Sequence, residues 1–141
     1  MRETELYAPV KAFLEQQGYE VKAEVRDCDV VAVRGGEEPV VVELKLQLSL
    51  ALLLQGVDRQ AMTDSVYVAV PAGKGARWVS QVKDAVKLCR RLGLGLLSVK
   101  QGVVLAHVDP GPDAPRQCTR RTNLLLNEFQ NRVRDPKTGG Q

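Results

Sequence analysis

Val40-Val41-Val42-Glu43-Leu44-Lys45-Leu46 reads as a β-strand in which two opposite charges are set into an apolar run. The β-branched start after Pro39 marks the strand, and successive strand side chains point to opposite sides. Val40, Val42, Leu44 and Leu46 therefore face one way, and Val41, Glu43 and Lys45 the other. Burying such a pair costs hydration that apolar residues never had, so it asks for a chemical reason.

Upstream of this strand, Tyr19, Val21, Ala23 and Val25 alternate with Glu20, Lys22 and Glu24, as in a strand with one wet face. A second strand runs from about Asp29 to Val33, and Gly35-Gly36 turns the chain into the strand at 40–46. The short connections predict an antiparallel meander. Before it, Leu6, Val10, Phe13 and Leu14 recur at helical spacing behind a Thr4 cap, with Gly18 closing the helix. Pro9 cannot donate to the Glu5 carbonyl, which predicts a bent first turn or a later start.

Downstream, Ser49 caps a second helix whose apolar face is formed by Leu50, Leu54, Val57 and Ala61. Gln60 falls at the edge of that face, near Leu53 and Gly56, and Arg59 falls opposite it, toward solvent. Ser65 to Val70 has the uniform apolar character of a central strand, so the helix before it predicts a parallel crossover. Trp78, Val82, Val86 and Cys89 make the stripe of a third helix stopped by Gly93. Residues 94–99 and 103–108 read as a hairpin turning at Gln101-Gly102. The result is an α/β fold, a mixed central sheet flanked by helices in the order αβββαβαββ. Pro110, Gly111, Pro112 and Pro115 then mark a loop, and Leu125, Phe129 and Val133 a last helix ending before Pro136, followed by a linker-like tail from Lys137 to Gln141.

With 141 residues, one domain is expected, occupying residues 1–109, with 110–141 as loop, helix and tail. No segment is apolar for long enough to cross a bilayer, and the acidic start, Met1-Arg2-Glu3-Thr4-Glu5, is unlike a secretory signal, so a cytoplasmic protein with no membrane partner is expected. Cys28, Cys89 and Cys118 are too few and too scattered for a disulfide framework or a zinc site. His107, the single histidine, excludes the zinc hydrolase clusters that need several imidazoles, and its place among valines predicts a structural role. Pro71-Ala72-Gly73-Lys74-Gly75 fails the phosphate-loop pattern, with Val68 where the first glycine belongs. Six aromatic residues in all leave no evident base-stacking platform.

Charge is unevenly spread. Residues 1–71 hold 7 basic and 12 acidic side chains, whereas residues 72–101 hold 7 basic and 1 acidic. An acidic half suited to cations is thus followed by a basic segment suited to a polyanion. Lys74 and Arg77 precede a ridge of Lys83, Lys87, Arg90 and Arg91 at helical spacing, the candidate nucleic-acid contacts.

Asp27 and Asp29 form an i, i+2 pair at the start of the second strand, beside the strand that bears Glu43 and Lys45. Either acid can meet Glu43 across the sheet. Converging carboxylates bind a hard cation, and magnesium takes only one or two of them plus water and phosphate. An ammonium beside them can position an attacking water and offset developing charge. This is the chemistry of phosphodiester hydrolysis.

Asp29, thirteen residues, then Glu43-Leu44-Lys45, behind an N-terminal helix and ahead of an αβ unit, resembles the PD-(D/E)XK nuclease superfamily with its restriction-endonuclease-like fold. A closer resemblance, to an uncharacterised bacterial branch of PD-(D/E)XK-type phosphodiesterases, rests on Arg2-Glu3-Thr4-Glu5-Leu6-Tyr7, Val42-Glu43-Leu44-Lys45, Gln55 with Arg59-Gln60, Asp64 to Pro71, and Pro110-Gly111-Pro112 with Ala114-Pro115-Arg116. The resemblance implies a hydrolase of nucleic acid, DNA foremost, using magnesium with manganese as a substitute. It implies Asp29 and Glu43 as metal ligands assisted by the Leu44 carbonyl, Lys45 serving the water, and Glu5 and Gln60 as further active-site groups. It also implies a homodimer as one mode of action and a further module beyond the Gly-Gly tail. Cys28 stands where a proline precedes the first acid in the family pattern, and Asp64 where the RecB-like branch has tyrosine. The alternative is a non-catalytic nucleic-acid-binding or regulatory module on the same fold.

Overall fold

Leu6, Val10 and Leu14, placed one helical turn apart, are buried along α1 (Thr4–Glu15), which lies across one face of the sheet. The computed structural model describes residues 1–113, 117–132 and 137. Val133, Pro136, Pro115 and the Gly-Gly tail lie outside these. Pro9 is the sixth residue of α1, so the Glu5 carbonyl loses its helical donor, and the helix nonetheless runs from Thr4 to Glu15.

The alternating segments form β1 (Glu20–Val25), β2 (Cys28–Val33) and β3 (Val40–Leu44), joined antiparallel. Arg26 and Asp27, both at positive φ, make the two-residue turn between β1 and β2, the backbone shape that matches hairpin twist. Of the expected wet-face strand only Val21 is buried, because β1 is the sheet edge and α1 reaches only its start. α2 (Leu50–Arg59) returns the chain so that β4 (Ser65–Pro71) pairs parallel with β3, and α3 (Gly75–Leu92) does the same for β5 (Gly95–Lys100) against β4. β6 (Val103–Val108) closes the edge antiparallel through Gln101-Gly102, both at positive φ. The described residues thus form a six-stranded mixed sheet in the order β1-β2-β3-β4-β5-β6, with the expected succession of elements. α4 (Thr119–Asn131) follows and buries no residue. Among the described residues no helix is long and apolar enough to cross a membrane.

Two apolar clusters sit on the two faces. Under α1, Val30, Ala32, Val40, Val42, Ala69, Leu97 and Val99 meet the helix. Under α2 and α3, Val41, Val66, Val68, Val70 and Leu96 meet Leu52, Cys89 and Leu94. α2 is rotated from the expected orientation. Ser49 does cap it, accepting the Leu52 N–H at 3.2 Å. Leu50 and Leu54, however, are exposed, and the buried residues are Leu52 and Gly56, with Arg59 half-buried on the same stripe. The cause is Gly56: a Cβ there would lie 3.1 Å from Leu94 and Val68, so the glycine face is the one that approaches the sheet closely.

Candidate active site

The β2–β3 ladder stops at Val30↔Val42, one residue before Asp29 and Glu43 would face each other. The β1–β2 ladder also passes over Asp29, pairing Ala23↔Val30 and Val25↔Cys28. Where backbone bonds are missing, carboxylates replace them. The Asp29 N–H donates to Glu43 Oε2 at 3.0 Å, and the Leu44 N–H donates to Asp29 Oδ2 at 2.8 Å. The two acids therefore cross-link the strands reciprocally at the point where they part. On the other side β3 stays fixed, because the Lys45 N–H donates to the Ala69 carbonyl at 3.1 Å.

Glu43 is 1% exposed, among the most deeply buried side chains in the protein. Its second oxygen, Oε1, accepts from Arg59 Nε at 3.1 Å, and Arg59 Nη2 donates to the Asp27 carbonyl at 2.8 Å. Burial pushes the Glu43 pKa above the ordinary carboxylate value, and the Asp29 charge adds to this; the Asp29 N–H and Arg59 pull the other way without prevailing. The neighbouring Cys28 thiol is likewise pushed up, by burial first, with Arg59 opposing.

Asp29 also lines a small open cavity of about 260 Å³ with Glu3, Thr4, Tyr7, Ala23, Glu24 and Leu44. At this place Lys45 Nζ is 3.8 Å from Glu3. The structure thus brings Asp29, Glu43 and Leu44 together, with the Lys45 side chain turned to Glu3 at the neighbouring start of α1. Between the two aspartates it favours Asp29: Asp27 occupies the turn and offers its carbonyl, not its carboxylate, to Arg59. Glu5 is not brought in. It is exposed on α1, and Glu3, two residues earlier, is the α1 acid that reaches the cavity. Gln60 is turned elsewhere too: its Nε2 donates to the Leu92 carbonyl at 2.8 Å, tying α2 to the end of α3. Among the basic candidates, Lys83 and Lys87 are exposed on α3 and line none of the clefts described, whereas Lys74 and Arg77 each line a cleft at the carboxyl ends of β4 and β5.

Arg59 is the site residue that sequence reasoning misplaced. The available signal was the spacing Leu52, Gly56, Arg59, a single helical stripe anchored by a glycine. Glu3 was passed over in favour of Glu5, and nothing in the local pattern separates the two.

Asp29 and Glu43 suit a magnesium ion in number and in hardness, since each carboxylate oxygen keeps a lone pair beyond the hydrogen bond it accepts. The arrangement is sparse, however: among the described residues no three His, Cys, Asp or Glu side chains converge as a cation cage. Gln55 Oε1, one turn before Arg59, is buried with no hydrogen-bond partner, an acceptor left open on the same helix.

No family model matches the sequence, and no curated protein does either. Among solved structures the chain is similar to a protein of unknown function from Silicibacter pomeroyi, at 19% identity and a TM-score of 0.50, over 98% of this chain and 95% of that one. This likeness supports the mixed α/β architecture and carries no activity with it.

Proposed function

We propose that the chain is a metal-dependent phosphodiesterase of the PD-(D/E)XK type that cleaves nucleic acid, DNA foremost. The observation that carries this reading is the reciprocal carboxylate cross-link of Asp29 and Glu43 where β2 and β3 separate. A hairpin needing only stability would have continued its ladder with apolar residues there. Magnesium, with manganese as a substitute, would be held by Asp29 and Glu43 with the Leu44 carbonyl, and would supply Lewis acidity to a phosphodiester. Lys45, half-exposed and 3.8 Å from Glu3, would orient a water molecule and hold positive charge beside a scissile phosphate. Lys74 and Arg77 extend positive charge along the same edge of the sheet.

A second reading has one observation in its favour. Arg59 already supplies Glu43 with a cation, which suits a nucleic-acid-binding module that has kept the fold without turnover. Calorimetric titration of magnesium and manganese into the protein and its Glu43→Ala variant, with pooled DNA substrates assayed in parallel, separates the two. Metal binding that disappears in the variant, together with metal-dependent cleavage, is the expected outcome. Salt-sensitive DNA binding with neither metal uptake nor cleavage would leave the binding module standing alone.

A further inference from the structure

α3 packs on β5 and on part of β6, leaving Val103 at 68% and Leu105 at 59% exposure beyond it. Between them and the start of α3 lies an open cleft of about 570 Å³ that also contains Trp78, Val79, Ser98 and His107. Lys74 and Lys100 both line it, no acidic residue does, and among the described residues neither lysine is in an ion pair. The volume is that of a small-ligand site, and apolar walls with a few converging polar groups are the usual make-up of one.

The polar groups are placed by a defect in the sheet. β6 pairs Ala106 with Leu97 and Val108 with Leu96, so His107 is the extra residue of a β-bulge. Bulges re-aim side chains, and here His107 Nε2 lies 2.7 Å from the Oγ of Ser98, itself 4% exposed in the middle of β5. In the tautomer with the proton on Nε2, the histidine donates to Ser98 and frees its hydroxyl hydrogen for an acceptor in the cleft.

The cleft and the Asp29 cavity lie toward opposite faces of the sheet, those of α3 and α1, and come nearest at the carboxyl ends of β3 to β5. Leu44 pairs with Ala69, so Lys45 shares a row with Val70, and Val70 pairs with Ser98. Two strand spacings separate Lys45 from Ser98, roughly 10 Å, and Glu43 alternates with Leu44 onto the same face of the sheet as Ser98.

We propose that this cleft is a nucleotide subsite of a nucleic-acid strand, with a phosphate between Lys74 and Lys100, a hydrogen bond from Ser98, and the base against Val79, Val103 and Leu105. The proposal rests on the reading above for its partner, nucleic acid, and not for its chemistry. About 10 Å is within the reach of a few nucleotides of a single strand, so one strand can cross the carboxyl ends of β3 to β5 from Lys45 to the cleft.

Trp78 is the only tryptophan, which makes its fluorescence a report from the cleft itself. The test titrates oligothymidylate into metal-free protein, reading Trp78 emission and, separately, anisotropy of a labelled oligomer at several salt concentrations. A saturable change in emission is expected. The Lys74→Ala/Lys100→Ala variant should lose that change and lower the slope of log affinity against log salt by about 1.4, two phosphate contacts at about 0.7 each for a single strand. Ser98→Ala should weaken binding without altering the slope. Unchanged emission response and slope in the double variant, or no oligomer binding by the wild type, would overturn the subsite. Manganese titration of the same samples keeps the failures apart, because metal uptake at Asp29 and Glu43 does not depend on the two lysines.

Discussion

The two faces of the sheet are built to different rules. Under α1, the buried residues that meet Leu6, Val10 and Leu14 are apolar without exception. Under α2 and α3 the same kind of valine-rich surface is interrupted by Glu43 with Arg59, and farther along by Ser98 with His107. Apolar burial stabilises at about 25 cal/mol per Å², whereas a buried ion pair seldom improves on an apolar replacement. The α1 cluster is thus wholly apolar, whereas the α2–α3 face, apolar for the most part, also buries polar groups that add little to stability over apolar replacements.

The largest effect expected from breaking this contrast is on the apolar face. Leu6→Ala should cost about 4 kcal/mol, since Leu6 is wholly buried in the apolar cluster under α1. Urea denaturation measures it, and a loss under about 1 kcal/mol would mean that α1 is not the main support.

Next comes the ion pair. Arg59→Met should cost about 3 kcal/mol by leaving a carboxylate buried without its partner, and Glu43→Met added to it should recover most of that loss. Recovery is the informative part. If the double variant is no more stable than Arg59→Met, the pair contributes net stability and the contrast between the faces fails.

A pH series sharpens the same point with a smaller effect. Burial holds the Glu43 pKa above its unfolded value, so the folded state keeps that proton to higher pH. Its contribution to stability is fullest below the ordinary value of 4.5 and declines as pH rises through the raised one. Calorimetric melting of metal-free protein should show Glu43→Gln gaining on the wild type between pH 4.5 and pH 7. On the proposed function, added magnesium should reduce that gap by favouring the ionised carboxylate.

The smallest effect is expected outside the clusters. Leu54→Glu should change stability by no more than about 0.5 kcal/mol, because Leu54 is 57% exposed. Leu52→Ala on the adjacent stripe should cost several-fold more, and equal losses would show that α2 faces the sheet differently.

Much of this architecture was legible in the chain itself. The period-2 and period-3.6 patterns mark six strands and four helices in their observed order; the Val40–Leu46 run singles out Glu43 and Lys45, but the strand ends at Leu44 and the two do not share a face, Glu43 meeting Arg59 of α2 and Lys45 meeting Glu3 before α1. The facing of α2 was not legible, because apolar residues surround that helix on nearly every side and periodicity cannot rank them. What ranks them is the close approach allowed at Gly56, which depends on where Val68 and Leu94 lie. Arg59 became a partner of Glu43, and not a surface residue, for that reason.

The amino-acid order alone thus determined the elements, their succession and the two acids and one lysine worth examining, since these depend on neighbours a few residues apart. Whether Asp27 or Asp29 meets Glu43, whether Glu3 or Glu5 reaches the cavity, and that Ser98 meets His107 were decided by the tertiary structure. A turn, a helix rotation and a bulge each re-aim a side chain by a residue's width, and each is settled by packing between segments distant along the chain.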